Sequence, residues 1–148
     1  MQEDHELLKI NVLKLHPEAK LPSQVYNTDS GFDLVALDDG VQGPEGYIVY
    51  QTGIAVQLPE GYAFQIRPRS SIRKYDLILC NSPGTIDQSY TGQLLINFKP
   101  IKSNGNYYKK GDKIAQLVLE KIYPVEFVEV KQLEPTHRGD GGFGSTGN

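Results

Sequence analysis

The sequence predicts an all-β protein, and three observations carry that prediction. Short segments rich in β-branched and aromatic residues recur along the chain. Strong turn chemistry separates them, at Asp38-Asp39-Gly40, Pro59-Glu60-Gly61, Ser103-Asn104-Gly105-Asn106 and Lys110-Gly111-Asp112. Helical periodicity is nearly absent, with about one turn around Ser71 to Tyr75 as the candidate. Many short strands at even spacing point to a β-barrel or a double-sheet jelly roll.

Taken in order, Lys9 to Leu15 alternates apolar and polar residues, as a half-buried strand does. Asp29 to Leu34 holds two carboxylates around Gly31 at a strand start. Tyr47 to Leu58 reads as a strand with a bulge or bend at Gly53. The turn at Pro59-Glu60-Gly61 and the run Tyr62 to Arg67 complete a predicted hairpin. Leu77 to Cys80, Gln93 to Phe98, Lys113 to Lys121 and Val125 to Leu133 are the remaining strands. No internal repeat or linker interrupts them, so residues 1–148 read as one domain. Residues 1–6 read as a flexible start and 134–148 as a mobile glycine-rich arm.

Composition excludes several classes. A net charge of −3 and a pI near 5.6 argue against a nucleic-acid coat protein. The dense basic cluster Arg67 to Lys74 is local and suits a small anion. Cys80 is the sole cysteine, which excludes an intramolecular disulfide and fits a reducing compartment. His5, His16 and His137 are too scattered for a zinc site. The acidic start, Met1 to Glu6, lacks the apolar core of a secretory signal, and no apolar run approaches a membrane span. The expectation is a soluble, cytoplasmic protein with no membrane or nucleic-acid partner.

Five segments carry chemistry. From Thr136 to Gly147 the chain places glycines at 139, 141, 142, 144 and 147 around Arg138, Phe143, Ser145 and Thr146. Glycine backbone can turn successive N–H groups onto an anion, Arg supplies a planar fork of donors, and a ring can stack on a base. The pattern contains G-x-G-x-x-G, but no helix follows it, and no lysine makes it a Walker loop. Read alone, it is equally a polar tail. Arg69-Ser70-Ser71 after a strand is a phosphate cradle or a surface turn. Asp29 to Leu34 alone is an ordinary acidic turn. Asn81 to Gly92 brackets an amide, a carboxylate and a tyrosine between glycines. Such a hairpin could read a pyrimidine edge through its backbone, with Asp87 as general base toward a water; otherwise Asp87 caps a turn. Gln116 sits in an apolar strand and needs either a backbone or a ligand partner.

In their order and identity these segments resemble the five motifs of the trimeric dUTPase family, from Ser30-Gly31-Phe32-Asp33-Leu34 to Arg138 through Gly147. The resemblance implies a jelly-roll-like β-barrel that assembles as a homotrimer, each active site being built from three chains. It implies hydrolysis of dUTP to dUMP and pyrophosphate, limiting uracil in DNA and supplying dUMP for dTMP synthesis. Asn81, Gly84, Thr85 and Ile86 would form the uracil pocket, and Tyr90 would pack on the deoxyribose. Asp87 would activate the water that attacks the α-phosphorus. Arg69, Ser70, Ser71 and Gln116 would hold phosphates, with either Arg73 or Lys74 filling a basic position in the loop behind them. Phe143 would cover uracil, and Arg138, Gly144, Ser145 and Thr146 would close on the γ-phosphate from a neighbouring subunit. Mg²⁺ would ride on the triphosphate and waters without a direct protein ligand, Asp33 standing in its outer network. Gln93 stands where the family often has Glu.

A dCTP deaminase would need a glutamate on the strand Leu94-Leu95-Ile96-Asn97-Phe98, which has none. A non-catalytic nucleotide sensor or regulatory module would have no use for Asp87.

Overall fold

The computed structural model of the chain describes residues 6–144 and contains two antiparallel sheets packed face to face. The strands are β1 (Asn11–Lys14), β2 (Gly31–Val35), β3 (Val41–Gln42), β4 (Ile48–Gln57), β5 (Tyr62–Arg67), β6 (Leu77–Leu79), β7 (Gly84–Ile86), β8 (Gln93–Pro100) and β9 (Lys113–Lys121). One sheet runs β1-β4-β8-β6 with β3 beside β4, and the other runs β2-β9-β5-β7. One 3₁₀ turn, Ser70–Lys74, follows β5. Among the described residues no helix is long and apolar enough to cross a membrane.

Alternation decides which side chains enter the core. From the first sheet, Ile48, Tyr50, Ile54, Leu94, Ile96, Phe98, Leu77 and Leu79 point inward. They meet Leu34, Phe64, Ile66, Ala115 and Leu117 of the second. Under one end lies an aromatic cluster. Tyr50 meets Phe98 and Tyr108 edge-on, at 5.6 and 6.2 Å, and donates its hydroxyl to the Tyr108 carbonyl at 2.8 Å. Burial pushes the hydroxyls of both Tyr50 and Tyr108 up to about 12.

The expected one-turn helix and the bend at Gly53 are both present. Gly53 has φ +72°, and the β4–β8 pairing shifts between Gln51 and Ala55. A Cβ there would lie 2.9 Å from both Ala19 Cβ and Leu37 Cδ2, so the site needs glycine twice over. Other expectations need correction. The run before Pro59 and the run after Gly61 do not form a hairpin. Both edges of β4 are already paired, by β1 with β3 and by β8, so β5 crosses to the other sheet. Val125 to Leu133 is not a strand; it pairs with nothing among the described residues and exposes Val125, Phe127, Val128 and Leu133. The two sheets share no strand pairing, so the described residues make an open sandwich and not a closed barrel. β3 and β7 are additional strands, both very short.

Two outcomes follow for stability. Gly53→Ala should lower the unfolding free energy by roughly 2 kcal/mol, from positive φ and overpacking together, read from urea denaturation. The two core tyrosines should make the fold alkali-sensitive. Their folded-state values lie above the usual 10.0, so their contribution is complete below pH 10 and is lost as pH rises toward about 12. Stability measured across that window should fall, and less steeply in Tyr50→Phe.

Candidate active site

Sheet pairing builds the first half of the site. On the outer face of the second sheet Asp33 of β2 lies opposite Gln116 of β9, which lies opposite Arg67 of β5. Just beyond Arg67 the chain turns, and Arg69 folds back over this row. Its Nε donates to Asp33 Oδ1 at 3.0 Å and its Nη1 to Ser71 Oγ at 3.1 Å. Arg69 thus uses two of its five donors to hold its own geometry. Lys113 Nζ reaches the other Asp33 oxygen at 3.5 Å. With its carboxylate bracketed by two cations, Asp33 acts here as an anchor for the guanidinium.

Gln116 has the backbone partner that a half-buried amide requires, since its Nε2 donates to Pro68 O at 3.0 Å. Its side chain lies across Gly31, where a Cβ would come within 2.0 Å of Gln116 Oε1. Gly31 is therefore the floor under the Gln116 amide. Asp33, Arg69, Ser70 and Gln116 line one open cavity of ≈ 370 Å³ together with Ser30, Asp29 and Tyr26. Arg73 and Lys74 occupy the last turn of the 3₁₀ segment and stay exposed.

The second half lies on β7 and the loop that carries the chain from β7 to β8, from one sheet to the other. Thr85 and Ile86 pair with Gln65 and Phe64 of β5. Thr85 Oγ1 donates to Gln65 Oε1 at 2.8 Å, and Gln65 Nε2 donates to Glu120 at 2.7 Å. Asn81, Gly84, Thr85 and Ile86 line a cavity of ≈ 100 Å³ with Ile66, Ile96 and Asn97. Asn81 and Asn97 also border a neighbouring groove of ≈ 560 Å³ that holds Cys80, whose thiol is raised by burial. Asp87 is exposed at the end of β7, and its carbonyl accepts from Tyr90 N–H at 3.0 Å. The Tyr90 hydroxyl donates to Gln93 O at 2.7 Å.

These two groups do not meet within one chain. Asp87 continues β7 past Ile86, whose partner Phe64 lies toward the start of β5, while Arg69 leaves the opposite end. From Ala63, which lines a cavity with Asp87, to Arg67 at the far end, β5 spans roughly 13 Å of backbone at about 3.3 Å per residue. The described part of the glycine-rich segment, up to Gly144, joins neither group. Phe143 is fully exposed, Gly144 adopts φ +78°, and Arg138 Nε donates to Gly141 O within the segment itself. Ser145 and Thr146 lie outside the described residues, as does nearly all of the expected flexible start.

Three further residues belong to these groups. Lys113 sits beside the turn at Gly111-Asp112, where a lysine reads as solvated surface. Asn97 is a polar residue in an apolar strand, the same signal that singles out Gln116. Gln93 enters through its backbone carbonyl, whose partner no sequence pattern marks.

A dUTPase family model matches residues 17–147. The deoxyuridine 5'-triphosphate nucleotidohydrolase of Hydrogenobaculum sp. (strain Y04AAS1) is 44% identical over 142 residues, covering 95% of this chain and 99% of the relative. That of Helicobacter pylori (strain Shi470) is 38% identical over 141 residues, covering 95% and 97%. Among solved structures, a mutant dUTPase of Staphylococcus bacteriophage 80alpha with dUpNHpp superposes with a TM-score of 0.74 at 28% identity, covering 95% of this chain and 99% of that one. A mutant dUTPase from phage phi11 of S. aureus, described for its coordination of a structural Mg(II) ion, gives 0.70 at 27% identity, covering 84% and 97%. With all five motif segments inside the matched span and relatives of nearly equal length, the chain belongs to the dUTPase family.

Proposed function

We propose that this chain is a dUTP diphosphatase that releases dUMP and pyrophosphate, with Asp87 as the general base. The observation that carries this reading is the turn that joins Asp87 to Tyr90 beside the cavity lined by Asn81, Gly84, Thr85 and Ile86. One short loop there offers a carboxylate, an aromatic wall and backbone groups for a pyrimidine edge. Asp87 takes a proton from a water, the water oxygen bonds to the α-phosphorus, and the bridge to the β-phosphate breaks. Arg69, Ser70, Ser71 and Gln116 hold the phosphates in line, which is most of what phosphoryl transfer asks of a protein. dUMP then serves dTMP synthesis, and removing dUTP keeps uracil out of DNA.

The donor chemistry near the cradle fits Mg²⁺ carried by the substrate. Asp33, the carboxylate in that row, is engaged by Arg69 and Lys113, so it would touch such an ion through water. Bound to the triphosphate, Mg²⁺ would offset charge on the departing pyrophosphate.

The separation of the Asp87 loop from the Arg69 cradle supports a homotrimer of jelly-roll-like subunits, in which one chain's cradle faces a neighbour's loop. The unpaired apolar run at 125–133 supports the same assembly, since its side chains lack cover in the single chain. Residues 134–148 then serve as the C-terminal arm of a single-domain cytoplasmic subunit. The arm closes with Phe143 over uracil and Arg138, Gly144, Ser145 and Thr146 toward the γ-phosphate.

Pyrophosphate release with Mg²⁺ should be far faster from dUTP than from dCTP, dTTP or UTP. Asp87→Asn should lower kcat by about 10²- to 10⁴-fold with dUTP binding retained. Binding without turnover in the wild-type chain would overturn the enzymatic reading. Refolding equal amounts of Asp87→Asn and Arg69→Ala chains together should restore activity to about a quarter of wild type, because mixed trimers recreate intact sites. Additive inactivity would place each site within one chain.

A further inference from the structure

Tyr90 is 45% exposed, so core packing does not hold its ring. Three local features do. Its amide is tied to Asp87 O at 3.0 Å. Its hydroxyl donates to Gln93 O at 2.7 Å. Its ring lies directly over Gly92, where a Cβ would fall 2.7 Å from the hydroxyl oxygen, 2.9 Å from Cζ and 3.2 Å from Cε1. The ring therefore occupies the space that any side chain at 92 would need.

Gln93 is itself fastened to the neighbouring strand, β4. Its Oε1 accepts from Gly53 N–H at 2.9 Å, filling the break in the β4–β8 pairing. Its Nε2 donates to Gln51 Oε1 at 3.3 Å, and Gln51 Nε2 donates to Asp38 Oδ2 at 3.1 Å. A continuous path of hydrogen bonds thus runs from the Tyr90 hydroxyl through Gln93 into the bulge of β4.

We propose that Gly92 and Gln93 are positioning residues that set discrimination between deoxyribose and ribose, by locking the Tyr90 ring in one place. The inference rests on the reading of Tyr90 as the wall against the sugar. The physical requirement is rigidity. An apolar wall rejects one added hydroxyl only weakly, by about 10²-fold in favourable cases, and a wall that yields rejects it less. A half-exposed ring supplies that rigidity only when its clearance and its hydroxyl are both fixed. Gly92 gives the clearance, and Gln93 fixes the hydroxyl through a carbonyl that the β4 bulge holds still.

The test compares kcat/KM for dUTP and UTP in the wild-type chain and in Gly92→Ala, Gln93→Ala and Gln93→Glu. The expected result is a fall of about tenfold in the dUTP-to-UTP ratio for Gly92→Ala, with kcat on dUTP less affected than the ratio. Gln93→Ala should lower the ratio by about threefold or more, and Gln93→Glu, which keeps an acceptor for Gly53 N–H, should return it to within about twofold of wild type. Loss of dUTP activity with an unchanged ratio would overturn the proposal and leave both residues as structural supports. If Gly92→Ala does not fold, the two Gln93 variants decide the question on the same criterion. A wild-type chain that hydrolyses UTP as readily as dUTP would instead overturn the sugar-wall reading of Tyr90.

Discussion

The pairing of β9 between β2 and β5 is the constraint on which the rest of the molecule depends. In that register Ala115 and Leu117 point into the core, and Gln116 points out between Asp33 and Arg67. A slip of one residue would turn the core leucine to solvent and the amide into the sandwich. The cradle is therefore not a separate device laid on a finished fold. The hydrophobic demand of Leu117, fully buried, is what aims Gln116. Gly31 completes the arrangement, because its neighbour across the sheet leaves no room beneath the amide for a side chain.

Much of this was legible in the sequence, and the parts that were not share a physical cause. The strand at Lys113 to Lys121, the bend at Gly53 and the short turn after Arg69 are local features, and local chemistry reports them. The residue types of the candidate site were legible too, because amide, guanidinium and carboxylate stand out against apolar strands. Partner choice was not. The turn at Pro59-Glu60-Gly61 looks like a hairpin turn, yet whether β5 returns to β4 depends on whether the edge of β4 is free. Val125 to Leu133 has strand composition, but composition supplies no partner. β7 was hidden for the reverse reason, since Gly84-Thr85-Ile86 reads as loop and becomes strand only beside β5. Lys113 enters the site through its distance to Asp33, which sequence spacing does not encode.

The loop from Asp87 to Gly92 joins the two sheets, and that position explains its chemistry. Its start is held by β7 and so by β5, through Thr85, Gln65 and Glu120. Its end is held by β8 and the bulge of β4, through Gln93. A loop clamped at both ends by different sheets keeps its side chains placed while remaining open to solvent. On the proposed mechanism, this reconciles an exposed Asp87 and Tyr90 with the precision that in-line attack demands.

The uncovered run at 125–133 carries a consequence in mass action. Val125, Phe127, Val128 and Leu133 are apolar surface that a lone chain must leave in water. On the proposed assembly, burying them is part of folding, so the folded state is favoured by a higher concentration of its own chains. Stability then ceases to be a constant of the sequence. Dilution alone becomes a denaturant, and the cell sets how firmly the enzyme holds together by how much of it is made.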